Sequence, residues 1–201
     1  QLAINYGTLL KDPRFLAPSL LIGFGLGNLY ALATVLPFIL IYEVGLTPSA
    51  FGLTMIIQSG SFISGTILTG RLLRFFEARK LVPYGLSLWV VASTLMCYVT
   101  LTHEPTILTV MGPVALFTFA LALVLPASFT ESMAPFPHIA GSASSMLGFL
   151  QFGGGIVASL AIAALGEPIL GLAFILPGMP IAGIILFLIL RSQIRQPAAA
   201  E

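Results

Sequence analysis

The chain has 201 residues, of which 58% are hydrophobic and 7% are charged, and its mean hydropathy is +1.06. A soluble globular domain carries about 25% charged residues, so this composition excludes that class and indicates an integral membrane protein. The formal net charge of +1 excludes the basic surface of a nucleic-acid-binding protein, and we expect no nucleic acid among the partners.

Six uncharged apolar runs predict six transmembrane helices, numbered here as spans 1 to 6. A bilayer core about 30 Å thick requires roughly 20 helical residues. Runs that meet this requirement cover residues 15–42, 51–70, 81–102, 106–130, 139–165 and 169–190. The predicted fold class is therefore all-α integral membrane, with residues 1–14 as a cytoplasmic linker and residues 191–201 as a cytoplasmic tail.

The charged residues predict the orientation of these spans. All the lysines and arginines fall at the end of the bundle that carries both termini: Lys11, Arg14, Arg71, Arg74, Arg79, Lys80, Arg191 and Arg195. The loops at the other end contain only acidic charges, from Glu43, Glu104 and Glu167. By the positive-inside rule, both ends of the chain are expected in the cytoplasm.

The residues that support catalysis, metal binding or redox chemistry are scarce. Cys97 is the single cysteine, and His103 and His138 lie in loops far apart in the sequence. An intramembrane serine protease needs a GxSG serine and a histidine at membrane depth, and the chain has neither. We therefore predict no enzyme activity, no cofactor and no metal. No short leader precedes Gln1, so we expect no signal peptide and a piece of a longer polypeptide.

Comparison of the first three spans with the last three suggests an internal repeat. An offset of 93 residues places Gln58-Ser59-Gly60 on Gln151-Phe152-Gly153, each in the second helix of its triplet. Because a triplet contains an odd number of helices, the second copy enters the membrane from the opposite side. This spacing predicts the inverted three-plus-three repeat that is nested in each half of several transporter folds.

Neutral polar and small residues form a stripe on each of three spans, whereas the span midsections contain no ionisable residue. The stripes, read by helical spacing, are Gly23, Gly27, Tyr30 and Thr34 with Asn28 beside them, Thr54, Gln58, Ser61, Gly65 and Thr69, and Ser144, Gly148, Gln151, Gly155 and Ser159. Two interpretations stay open: the stripes are helix-packing seams, or they line one shared pocket with an aromatic wall that suits uncharged or amphipathic molecules.

Three segments resemble a known transporter family. Residues 134–151, APFPHIAGSASSMLGFLQ, resemble the APFP…AGxASxLxGFxQ signature that precedes and enters the eleventh span of Bcr/CflA-type (bicyclomycin-resistance) drug transporters of the major facilitator superfamily. Residues 8–15, TLLKDPRF, and 42–52, YEVGLTPSAFG, resemble the stretches that lead into its seventh and eighth spans. The resemblance covers essentially the whole chain and implies the C-terminal six-helix half of a twelve-span carrier.

One loop departs from the superfamily pattern. Residues 70–80 occupy the position of the G-x-L-x-D-R-x-G-R-R gating motif, where Gly70, Leu72, Arg79 and Lys80 fit. Arg74 replaces the acidic position and Glu77 replaces the second glycine, which argues against a charge latch in this half.

The resemblance implies proton-coupled efflux of hydrophobic drugs or small metabolites by alternating access in the bacterial inner membrane. The implied partners are an N-terminal six-helix lobe, a small hydrophobic or amphipathic substrate and the lipid bilayer. The carboxylate that couples protons in such carriers usually lies in the N-terminal half. From the stripes and the aromatic residues we predict nine substrate-binding wall residues: Phe24, Asn28, Tyr30, Gln58, Ser61, Phe117, Ser144, Gly148 and Gln151.

Two alternatives to this function remain. A complete six-span protein could pair with a second copy of itself to form a transporter. The chain could also be a non-transporting membrane scaffold or binding subunit whose polar stripes serve only helix packing.

Overall fold

The structure, a computed structural model, describes the backbone of residues 2–195 and the side chains of that range except those of residues 2, 3, 78, 79 and 195. Every regular element in that range is helical, and six helices are long and apolar enough to cross a membrane. The predicted six-helix fold class is confirmed. Gln1 and residues 196–201 of the predicted tail lie outside the described residues, as do the side chains of Arg79 and Arg195.

The helices follow the predicted spans with small shifts at their ends. Their bounds are α1 Leu2–Lys11, α2 Pro13–Pro37, α3 Pro48–Leu72, α4 Ala78–Thr102, α5 Ile107–Met133, α6 Ala140–Leu165, α7 Pro168–Leu170 and α8 Leu176–Arg195. Spans 1 to 5 are formed by α2 to α6. Span 6 consists of α7 and α8, and a π-helical turn at Gly171–Ile175 joins them. A second π-helical turn, at Phe38–Glu43, extends span 1 beyond α2.

Side-chain caps and prolines set the starts of the spans. Asp12 caps span 1 by accepting a hydrogen bond from the backbone N–H of Arg14, and Pro13 occupies the first turn. The Arg14 guanidinium also donates to the Asp12 carboxylate, which lowers the pKa of that carboxyl below its ordinary value despite partial burial. Thr47 caps span 2 ahead of Pro48, and Thr106 forms a reciprocal capping box with Thr109 at span 4.

The segment before span 1, expected as a linker, contains the helix α1. This helix lies against spans 1 and 5, and the Asn5 side-chain amide donates a hydrogen bond of 3.3 Å to the Ser142 hydroxyl. Leu9 is fully buried in the same contact region. This helix is not among the predicted elements, because its polar residues and Lys11 interrupt the uncharged apolar runs from which the spans were identified.

The order of helix contacts has the symmetry of a three-plus-three repeat. Span 1 packs against spans 4, 5 and 6, and span 4 packs against spans 1, 2 and 3. Spans 3 and 6 also pack against each other, whereas spans 2 and 5 share no packed interface in the described part of the chain. If spans 1, 2 and 3 are exchanged with spans 4, 5 and 6, the same set of helix contacts results. Spans 1 and 4 therefore form the centre of the bundle, and they are its most buried spans.

The outer surface of the bundle is apolar. Large hydrophobic side chains lie exposed along spans 2, 5 and 6, among them Ile56, Ile63, Val157, Leu160 and Leu188. So many exposed large apolar side chains are unsuited to water and match the hydrocarbon region of a bilayer.

Candidate functional site

Spans 1 and 5 approach each other through glycines. A Cβ atom at Gly27 would lie 3.0 Å from the Gly155 backbone nitrogen and 3.1 Å from the Gly154 carbonyl carbon. A Cβ at Gly154 would in turn lie 3.1 Å from the Gly23 carbonyl oxygen. A Cβ atom at either position would force the two backbones a few tenths of an ångström apart, so the glycines make the stripes of spans 1 and 5 a close-packed seam.

Polar and aromatic side chains border this seam on one side. The rings of Tyr30 and Phe152 stack with centroids 5.0 Å apart and planes 11° apart. The Tyr30 side chain is 36% exposed and that of Phe152 is 59% exposed. Gln151 is half-buried in the same turn of span 5, with Gly148 one turn before it. We refer to Tyr30, Gly148, Gln151 and Phe152 as the aromatic flank.

The aromatic flank adjoins the one face of span 1 that no helix covers. Span 1 contacts span 5 through Gly27, span 6 through Phe24 and span 4 through Gly25. Ala33 lies on the remaining face and is exposed, and Tyr30, whose Cβ lies against Gly155 of span 5, is exposed at the edge of that face. Because spans 2 and 5 are not packed together, this face opens between them in the described structure. Ser144 continues the stripe of span 5 below Gly148, is exposed, and donates its hydroxyl hydrogen to the Gly141 carbonyl.

The stripe of span 2 faces span 4 instead. The Ser61 hydroxyl donates to the Ala115 carbonyl at 2.8 Å, and the Thr69 hydroxyl lies 3.1 Å from the Ala122 carbonyl. The Thr118 hydroxyl of span 4 lies 3.4 Å from the backbone oxygen of Gln58. These bonds satisfy the polar groups across the interface, so the packing-seam interpretation describes this stripe. The Gln58 side chain is half-buried at the edge of the seam.

Two of the predicted wall residues lie inside the bundle. Phe117 is 1% exposed and stacks on Trp89 of span 3, with ring centroids 5.8 Å apart. Asn28 is also 1% exposed, and its Oδ1 has no hydrogen-bond partner among the described residues. The indole Nε1 of Trp89 is likewise buried without a partner. Neither predicted residue reaches an open surface in this conformation.

Phe24 borders a different cavity. An apolar groove of about 420 Å³ lies between spans 1, 5 and 6, and its lining includes Phe24, Phe149, Gly153 and Val157. A Cβ at Gly183 would lie 2.9 Å from the Phe24 Cβ, so this side chain packs onto span 6. The groove offers apolar contact without an oriented polar group.

The structure therefore does not gather the nine predicted residues in one pocket. Tyr30, Ser144, Gly148 and Gln151 lie along one face, whereas the other five divide between the span 2 seam, the core and the apolar groove. Sequence reasoning left two aromatic residues out of the predicted site: Phe152, which completes the aromatic flank, and Trp89, which contacts Phe117. Two features of the sequence could have indicated them: Phe152 directly follows the predicted wall residue Gln151, and Trp89 is the single tryptophan of the chain.

Replacement of Ser61 by alanine tests whether this residue belongs to a seam. Loss of one interhelical hydrogen bond in a membrane protein costs about 0.6 kcal/mol on average. We expect a small decrease in thermal stability in detergent. Unchanged thermal stability of this variant would contradict the seam assignment.

Comparison with known proteins identifies membrane transporters as relatives. The chain is 29% identical to an uncharacterized MFS-type transporter, YdgK of Bacillus subtilis (strain 168), over 144 residues, which are 72% of this chain and 36% of that protein. It is 38% identical to multidrug resistance protein D of Escherichia coli (strain K12) over 74 residues, which are 35% of this chain and 19% of that protein. No family model matches the chain.

The chain thus spans about a third of the length of the first of these relatives. The matches agree with the six apolar helices and support the major facilitator superfamily. The chain is an all-helical protein with six potential membrane spans, and its homologues are MFS-type transporters.

Proposed function

We propose that the chain is the C-terminal six-helix lobe of a Bcr/CflA-type transporter that exports hydrophobic drugs or small metabolites by proton-coupled alternating access. The subfamily rests on the APFP…GFLQ segment at residues 134–151, and transport rests on the similarity to proteins named as transporters. The distribution of lysine and arginine supports an orientation with both ends of the chain in the cytoplasm, and the resemblance to the bacterial family supports a location in the inner membrane.

The uncovered aromatic flank is the observation that carries this proposal. Two stacked rings beside a side-chain amide combine apolar contact area with a group that orients a ligand, as binding sites for small organic molecules require. The flank lies on the face between spans 2 and 5, where a second six-helix lobe would close the site. Rocking of that lobe over this face would expose the flank to either side of the membrane in turn.

Proton coupling belongs to the partner lobe in this proposal. The midsections of all six spans contain no Asp, Glu, Lys, Arg or His. Intramembrane ionisable residues mark proton relays in transporters. The present lobe therefore contributes substrate contacts and the moving surface, while a buried carboxylate upstream would exchange the proton.

Alanine replacement of Phe152 and Gln151 in the complete carrier tests the flank. Aromatic stacking contributes about 0.5 to 1.5 kcal/mol, so we expect resistance to drugs that depend on it to fall by about two- to tenfold for Phe152→Ala. Gln151→Ala is expected to change the relative resistance to different drugs. The measurement is the inhibitory concentration for a panel of hydrophobic cations and neutral drugs, at equal membrane expression.

Phe149→Ala is the matched control. Phe149 lies one turn from Phe152 on the same span, is 71% exposed, and borders the apolar groove rather than the flank. Its removal is expected to leave the resistance profile unchanged. Equal profiles for the wild type, Phe152→Ala and Gln151→Ala would remove the flank from the binding site.

Gln58→Ala examines the second glutamine of the repeat. If Gln58 lines the predicted pocket, the Gln58→Ala substitution should alter the substrate range of the carrier without loss of membrane insertion. Because the Gln58 side chain lies at the edge of the span 2 seam, we expect a smaller effect than for Gln151→Ala. An unchanged profile would remove Gln58 from the pocket.

A non-transporting scaffold is the second candidate function. The observation that favours it is the use of the span 2 stripe for packing, through the bonds of Ser61 and Thr69 to span 4. Absence of drug-dependent growth and of transport in vesicles that contain the complete polypeptide would support this alternative over the exporter.

A further inference from the structure

A second groove opens at the end of the bundle where the lysines and arginines lie. It has a volume of about 830 Å³ and lies between the end of span 2 and spans 3 and 6. Lys80, at the start of span 3, and Arg191, near the end of span 6, stand at its rim. Below them its wall is apolar and includes Leu86, Leu123 and Phe187. Spans 3 and 6 are packed on the opposite side of spans 1 and 4 from the aromatic flank, so this groove is separate from the proposed substrate site.

The two cations of this rim have no carboxylate partner. No Asp or Glu lines the groove, and neither Lys80 nor Arg191 forms an ion pair within the described residues. The Arg191 guanidinium lies 5.1 Å from the centroid of the Phe187 ring, which holds it over the groove wall. Glu131 lines a separate groove that Arg191 also borders. The rim therefore presents two positive charges to any ligand that enters.

The shape of the groove matches an amphiphile in the bilayer. Leu86 lies six residues beyond Lys80 on span 3, which places it about 9 Å deeper along the helix. A ligand with an anionic group at the rim would thus extend its apolar part along Leu86 and Leu123 at membrane depth. Basic pockets between transmembrane helices at this level bind anionic lipid headgroups, and each Lys or Arg near the surface of an anionic membrane contributes about 1 kcal/mol of attraction.

We propose that this groove binds one anionic phospholipid of the surrounding membrane. Its phosphate lies between Lys80 and Arg191, and one acyl chain lies along the apolar wall. The bound lipid bridges the start of span 3 and the end of span 6 across the described structure. This site is independent of transport and of the aromatic flank.

Native mass spectrometry of the complete polypeptide in a non-ionic detergent tests the proposal. The protein is titrated with dioleoyl phosphatidylglycerol and, in parallel, with dioleoyl phosphatidylcholine, and the dissociation constant of the first bound lipid is determined. We expect tighter binding of phosphatidylglycerol. Lys80→Gln and Arg191→Gln should each weaken it by about fivefold, the factor that corresponds to about 1 kcal/mol, and should leave phosphatidylcholine binding unchanged.

Arg74→Gln is the matched control, because Arg74 is an exposed cation just beyond span 2 at the same end of the bundle and does not line the groove. It should leave both dissociation constants unchanged, whereas an equal loss in this variant would show general surface attraction and overturn the site. Equal phosphatidylglycerol binding by the wild type and the Lys80→Gln/Arg191→Gln double variant would also overturn it. Displacement of the lipid by an equal concentration of glycerol phosphate would show a phosphate site without a role for the apolar wall, and would contradict a lipid as the occupant.

Discussion

Replacement of Gly27 by leucine is expected to prevent assembly of spans 1 and 5. A single methyl group at this position already lies 3.0 Å from the Gly155 nitrogen and 3.1 Å from the Gly154 carbonyl carbon, both of them backbone atoms that cannot rotate away. Overpacking of a protein interior costs about 1 to 3 kcal/mol for small additions, and more where backbone must move. We expect Gly27→Ala to lower the midpoint of thermal unfolding in detergent, and Gly27→Leu to leave little monodisperse protein.

Gly153→Leu provides the control for this experiment. Gly153 lies on span 5 beside the same seam, but a Cβ there meets nothing within 4 Å. Leucine is the better helix former by up to about 1 kcal/mol, so this variant should be as stable as the wild type or more stable. If the Gly27 and Gly153 variants behaved alike in size-exclusion chromatography and thermal unfolding, the close approach of spans 1 and 5 would be refuted.

Replacement of Asn28 by leucine is expected to change stability and transport in opposite directions. The Asn28 Oδ1 atom is buried without a hydrogen-bond partner among the described residues, and such a group costs about 1 to 3 kcal/mol. Leucine has the same number of side-chain heavy atoms in the same branched arrangement and no polar atom, so the variant should unfold at a higher temperature. In the proposed transporter, the unpaired Asn28 amide destabilises this conformation, so we infer that it forms its hydrogen bonds in another conformation of the transport cycle. Because leucine cannot form those bonds, we expect the transport rate of Asn28→Leu to fall about tenfold.

Ser19→Ala separates this effect from general core stabilisation. The Ser19 hydroxyl is also buried on span 1 without a partner, and it lies far from the aromatic flank, near the start of the span. We expect its removal to stabilise the bundle slightly and to leave transport unchanged. An Asn28→Leu variant that transports at the wild-type rate would show that Asn28 serves packing alone.

The polar stripes could be predicted from the sequence, but the helix or cavity that each stripe faces could not. Helical spacing placed Gln58 and Ser61 on one face of span 2, and the structure keeps them there. Spacing does not specify which neighbour that face meets, and Ser61 proves to donate to the Ala115 carbonyl of span 4. A small polar residue that bonds a neighbouring backbone has the same sequence signature as one that faces a cavity, because both avoid lipid.

The aromatic residues show the same limit. Phe117 and Phe152 both lie in apolar spans, yet the first is buried against Trp89 and the second is exposed beside Tyr30. Their difference follows from the position of each span in the bundle. Span 4 is surrounded by three neighbours, whereas span 5 packs against span 1 and leaves much of its circumference uncovered.

The sequence by itself determined the number of spans, the helical class, the repeat offset that pairs Gln58 with Gln151, and the uneven distribution of basic residues. Each of these depends on properties that can be read along the chain, namely hydropathy over about 20 residues, the spacing of the two matching glutamine segments, and charge at the helix ends. Only the tertiary structure decided which stripes are seams, that Tyr30 and Phe152 stack, and that Lys80 and Arg191 share one groove. These features depend on which helices become neighbours, and in lipid that choice is made by close packing between specific surfaces rather than by hydrophobicity, which all six spans have in common.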